Sequence, residues 1–201
     1  MLGADYSIQI QWKMADHGRA TPEVKKMGIS RVSGLAAVIL LAAAIAPAHA
    51  AGKPSDAPIA HIAYTAGNID IKAAELALQT SKTDGVRAFV DDMVRDHKAV
   101  NDKALALAKK LNVTPEDNDT SKALTRQADE KYAELTKLSG SAFDKAYVDN
   151  EVAFHKAVIG ALEKTLIPST QNAELKSLLQ TGIKIFKGHE QHAEKLASTL
   201  K

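Results

Sequence analysis

His97, His155 and His189 each fall at a core position midway along a different predicted long helix, and Asp70 lies near the middle of a fourth. A buried imidazole costs stability unless both ring nitrogens find partners, so three at one depth call for a common explanation. Imidazole suits zinc, copper, nickel and iron, and three histidines with one carboxylate make a coordination set for a single such ion. Glu151 sits one turn before His155 on the same face, where it can ligate directly or accept the other ring N–H. His192, one turn beyond His189, is a further candidate ligand. Asp92 and Asp96 are expected on the flank, His61 at the surface, and the Tyr147 hydroxyl is placed to donate to Glu151.

Helices must bring these residues together. Ile62, Ala66, Ile69, Ala73, Leu76 and Thr80 recur at three- and four-residue steps from about 58 to 81, with Pro58 opening the helix and Asp70 bordering the stripe. Thr83 or Asp84 can cap a second helix, whose heptad runs Val86, Val90, Met93, His97, Val100, Ala104, Leu107 and Leu111. The stretch NVTPEDNDTS, 112–121, reads as a loop. Ser121 or Thr120 then starts a shorter helix of roughly 18 residues that stops near Gly140, about 27 Å at 1.5 Å per residue.

Ser141 is expected to cap the next helix, striped by Val148, Val152, His155, Ile159, Leu162 and Leu166 and ended by Pro168. The last helix runs from about Asn172 to Leu200 through Leu175, Leu178, Gly182, Ile185, His189, His192 and Leu196. No strand pattern and no internal repeat is visible. The prediction is an all-α fold, a ferritin-like four-helix bundle in which the shorter helix crosses over between the second and third long helices. In such a bundle the helix midpoints meet, and with them the three histidines and Asp70.

The first fifty residues are of another kind. Lys25, Lys26 and Arg31 precede an apolar run from Leu35 to Ala46, then Pro47 and the triplet Ala48, His49, Ala50. That is the layout of a secretory signal over 27–50, with cleavage expected after Ala50 and export to the periplasm or cell envelope. Met27 reads as an initiator, which makes 1–26, with Trp12, a mis-called or dispensable extension. Residues 51–57 form a polar mature N-terminus and 58–201 the bundle domain.

Residues 51–201 carry 21 Lys and Arg against 21 Asp and Glu, so the net charge of +2 comes from the leading segment. No basic stripe marks a nucleic-acid partner, and no run after the signal reaches the roughly 18 to 20 apolar residues of a membrane span. There is no cysteine, so stability must come from the core or from a bound ligand. No nucleophile elbow, glycine-rich phosphate loop or cysteine pair is present, and no organic cofactor is implied.

The phrases AGNIDIKAAELA, AFVDDMVRDHKAVN, AFDKAYVDNEVAFHKAVIGALEKTLIP and GHEQHAEKL resemble, in order and spacing, the domain-of-unknown-function 4142 family, across 59–200. The resemblance implies an exported bacterial protein of the ferritin-like superfamily and specifies no activity. Di-iron members of that superfamily carry Glu-x-x-His pairs on two helices. Here Asp96 precedes His97, Glu151 precedes His155 by four, and His189-x-x-His192 lacks an inward Glu. The pattern therefore points to one metal ion in metal handling or envelope stress protection. The alternative is a metal-free interaction or structural protein whose buried histidines and carboxylates form a network of their own.

Overall fold

The computed structural model describes residues 54–200. The candidate extension 1–26 and the candidate signal 27–50 lie outside the described residues. Every regular element among those described is helical: α1 Asp56–Thr80, α2 Asp84–Lys110, α3 Asp119–Leu135, α4 Gly140–Ala161, a π-helical turn Leu162–Leu166, a three-residue α5 Ile167–Ser169, and α6 Ala173–Ala197. None of these helices is long and apolar enough to cross a membrane.

Two apolar clusters give the helix directions. One gathers Ala74 and Ala77 from the end of α1, Phe89 and Met93 from the start of α2, Phe143 and Val148 from the start of α4, and Ala193 from the end of α6. The other gathers Ile59 and Ile62 from the start of α1, Phe154, Val158 and Ile159 from later in α4, and Leu175, Leu179 and Phe186 from α6, with Leu107 from the end of α2 packed against it. Thus α1 and α6 run one way while α2 and α4 run the other. Fully burying a large apolar side chain contributes about 1.5–3 kcal/mol, so each cluster is a substantial core. The three histidines, Asp70 and Glu151 lie between the two.

Polar ties fix both ends. The Arg87 guanidinium donates to the carbonyls of Leu78 (2.7 Å) and Ser81 (3.1 Å), satisfying acceptors that the end of α1 leaves open. Thr83 in the same turn donates to buried Asp144 of α4 at 2.5 Å. At the opposite end the Asp56 carboxylate accepts from the backbone of Gln171 (2.9 Å) and Asn172 (2.8 Å), and the Asn172 side chain caps α6.

The element boundaries differ from the sequence expectation for identifiable reasons. α1 begins at Asp56, with Pro58 inside its first turn, where a missing N–H leaves no acceptor unpaired. Asn118, not Ser121 or Thr120, caps α3; Ser121 is its third residue and closes a reciprocal capping box. α3 ends at Leu135 rather than near Gly140, and Ser139 rather than Ser141 flanks the start of α4. Gly140 has φ +56, a left-handed conformation that favours glycine. Pro168 does not end the fourth helix. The π turn before it widens the backbone, Ile167 N–H reaching the Leu162 carbonyl, and the helix continues through the proline to Ser169. α6 ends at Ala197.

Two inward faces keep part of the expected stripes, Ile62, Ala66 and Leu76 on α1 and Leu175, Gly182 and His189 on α6, and elsewhere lie one residue over. α6 buries Leu175, Leu179, Gly182, Phe186, His189 and Ala193, not Leu178, Ile185 and His192. α1 buries Asp70 on the stripe itself, not at its border.

Candidate metal centre

The helices converge on one polar layer in which His97, His155, Asp70 and Glu151 are each no more than 1% exposed and His189 is 6% exposed. Register between α1 and α2 is set one turn away. A Cβ on Gly67 would come within 2.5 Å of the Asn101 side-chain oxygen, and Asn101 in turn donates to Asn68 at 2.9 Å. Glycine thus lets the helices approach closely where Asp70 and His97 face each other, with His97 Nε2 3.5 Å from Asp70 Oδ2.

One nitrogen from each of His97, His155 and His189 lies within 4.8 Å of the others. Three points so spaced share a centre within about 2.8 Å, against metal–nitrogen bonds of about 2.0–2.1 Å, so a small inward movement suffices. The His97 Nε2 to His189 Nδ1 separation is already 3.2 Å, close to the roughly 3.3 Å edge of a tetrahedral site. His155 Nδ1–H donates to the Glu151 backbone carbonyl at 2.8 Å. That bond fixes the tautomer and leaves Nε2 as a bare lone pair, buried and with no hydrogen-bond partner.

Burial, reinforced by the neighbouring rings of His155 and His189, pushes His97 down to about 2. Burial also lowers His155, to about 4, and shifts His189 downward despite Asp96 beside it. All three are therefore neutral at physiological pH, the form that ligates. Phe186 walls the group, its ring centroid 4.9 Å from that of His97 and 5.2 Å from that of His155.

The other side of the layer holds Asp70, Glu151 and Tyr147. Asp70, Glu151 and His155 form a second group whose ligand atoms lie within 4.8 Å of one another. Burial and then the facing Glu151 drive Asp70 well above the usual carboxylate range, and burial raises Glu151 to about 8. Both carboxyl oxygens of Glu151, Oδ2 of Asp70 and the Tyr147 hydroxyl have no hydrogen-bond partner. Burial, Glu151 and Asp70 together raise the Tyr147 phenol. Its hydroxyl thus feels both carboxyls yet donates to neither. Since the Nδ1 of His155 is spent on a carbonyl, that ring has one nitrogen to offer and can serve only one of the two groups.

The layer thus brings together Asp70, His97, Glu151, His155 and His189. His192 is not among them: it is exposed, its ring edge-on to Phe89 at 5.1 Å. His61 is half-buried near Asp117 rather than at the surface. Asp96, expected on the flank, reaches across to α6. Its Oδ2 lies 3.1 Å from His189 Nε2 and its Oδ1 2.8 Å from Arg95 Nε. Partial burial works against its charge, but the bonds from Arg95 and His189 outweigh it and hold the carboxyl below the ordinary range. The sequence signal was Asp96 lying one residue from a core position, beside an arginine that could anchor it.

Residues 41–196 match the family described as Domain of unknown function (DUF4142). The chain belongs to that family. Neither the curated proteins nor the solved structures include a match to it. The DUF4142 match spans the whole polar layer, from Asp70 on α1 to His189 on α6.

Proposed function

We propose that this DUF4142 protein is an exported, ferritin-like four-helix bundle, with α3 as the crossover, that binds one transition-metal ion in its core. His97, His155 and His189 are its nitrogen ligands; Asp70 and Glu151 are ligands or orienters. The observation that carries the reading is three neutral, buried imidazoles with one nitrogen each within 4.8 Å, one of them a bare lone pair. The shared direction of α2 and α4 supports the ferritin-like connection, since only a crossover can join two helices that run the same way. The charged, apolar and A-x-A segments of 27–50 support export, and with it a role in metal handling or envelope stress protection.

To ligate through Nε2, His97 would shift the proton it now donates to His189 Nδ1 onto its own Nδ1. An ionised Asp70 or Glu151 would offset the charge of a cation there, so the protons released on loading come from the carboxyls. Metal analysis of tag-free protein should give about one equivalent, lost in His155→Ala. Near-zero metal in both would remove the reading. Saturation at 100 times the dissociation constant should add about 2.7 kcal/mol of stability, reversed by chelator.

A metal-free network is the second reading, favoured by the hydrogen bonds that already link Asp96, His189 and His97. It predicts a melting temperature that chelator does not change.

A further inference from the structure

We propose that Asp96 is the positioning residue of this centre, holding His189 in the tautomer and orientation that present Nδ1 to the layer. The inference rests on the metal reading above.

An ionised carboxylate only accepts, so the 3.1 Å contact to Asp96 Oδ2 requires the proton of His189 to sit on Nε2. Nδ1 is then a lone pair, and it points at His97 Nε2, 3.2 Å away. Asp96 is itself anchored. Arg95 Nε donates to its Oδ1 at 2.8 Å, and Arg95 Nη1 donates to Asp92 at 2.6 Å, so the guanidinium is held at two points.

His155 is oriented by a different device with the opposite outcome. It donates Nδ1–H to its own helix and offers Nε2, whereas His189 donates Nε2–H to Asp96 and offers Nδ1. Without Asp96, the tautomer with a proton on Nδ1 becomes competitive, and that proton occupies the ligand position. A carboxylate behind an imidazole also makes it a stronger donor to a metal. The Asp96 side chain is 29% exposed, so its loss leaves the two apolar cores intact.

Two measurements test this: nitrogen-15 chemical shifts of the imidazoles in metal-free protein, and Co²⁺ titration followed by absorption. Wild type should show His189 as the Nε2–H tautomer. Asp96→Ala should shift it toward Nδ1–H and weaken Co²⁺ binding 10- to 100-fold. Asp96→Asn, whose amide oxygen can still accept from Nε2–H, should keep the tautomer and lose less affinity, while Asp149→Asn, at an exposed carboxylate of α4 paired with Lys145, should alter neither. An unchanged tautomer in Asp96→Ala, or unchanged Co²⁺ affinity beside a wild type that binds, overturns the assignment. If wild type takes up no Co²⁺, the metal reading falls, and the tautomer still decides whether Asp96 positions His189.

Discussion

The two sides of the polar layer are equally buried and differently satisfied. On the imidazole side a chain of hydrogen bonds runs from Asp96 at the surface through His189 to His97, and His155 donates to its own helix. On the carboxyl side Asp70, Glu151 and Tyr147 keep four polar atoms with no hydrogen-bond partner. An unpaired buried polar group costs about 1–3 kcal/mol, so the carboxyl side carries most of the layer's unpaid desolvation. The imidazole side leaves a single atom unpaired, His155 Nε2, whereas the carboxyl side leaves four, which a positive charge, protons or a cation, would satisfy.

The largest consequence of that difference is a pH dependence of stability in the metal-free protein. Glu151 ionises near 4.5 when unfolded and about 8 when folded, so between those values the native state holds a proton that the unfolded chain has lost. Stability therefore falls as pH rises through that window. The histidines act in the opposite sense, because unfolded imidazoles, still half protonated at 6.5, take up protons that the buried ones refuse. Between pH 6.5 and 8 the Glu151 proton contributes a loss of about 2 kcal/mol, and the three imidazoles return about 1. Urea unfolding of wild type and Glu151→Gln at both pH values isolates the carboxyl: the two pH dependences should differ by about 2 kcal/mol, wild type losing more. Equal pH dependences would place the unfavourable charge elsewhere.

The approach of α1 to α2 brings Asp70 from the carboxyl side up to His97, and it depends on Gly67. In Gly67→Ala the new methyl would lie 2.5 Å from the Asn101 side-chain oxygen. The contact is the end of a flexible side chain, so relief comes by turning Asn101 away and breaking its bond to Asn68. A loss of about 1–2 kcal/mol is expected. Co²⁺ affinity should hold, because turning Asn101 leaves Asp70 beside His97. A variant as stable as wild type would mean that the register is held elsewhere.

What the sequence made legible followed from what each residue needs locally. Helices were readable because apolar periodicity and the turns near Ser81, Pro115 and Asn172 need no tertiary information. Which row of a helix faces inward was not, where two apolar rows run side by side. Leu178, Ile185 and His192 compete with Leu179, Phe186 and Ala193 on α6, and packing against α4 selects the second set. His189 belongs to both rows, which is why it could be placed while His192 was set with it. Asp70, His97, Glu151 and His155 share the layer because each lies near the middle of its helix. Asp96 was missed because its role depends on the neighbouring helix, and no spacing within α2 encodes a bond to α6. The passage of the fourth helix through Pro168 depends on a π turn for which the local residues give no signal.

The smallest expected effect isolates the carboxyl side most cleanly. The Tyr147 ring is fully buried, stacked on Phe143 with centroids 6.0 Å apart, and its hydroxyl has no hydrogen-bond partner. Tyr147→Phe keeps the ring and removes only the oxygen. In metal-free protein the change should be neutral or stabilising by up to about 1 kcal/mol, because an unpaired polar group is deleted and no bond is lost. The imidazole side offers no equivalent, since its one unpaired atom, His155 Nε2, belongs to the ring whose Nδ1–H donates to Glu151 and cannot be deleted alone. If the loaded protein loses more stability to Tyr147→Phe than the metal-free protein does, the phenol takes part in holding the charge. If both forms respond alike, Asp70 and Glu151 are the groups on that side that answer to the ion.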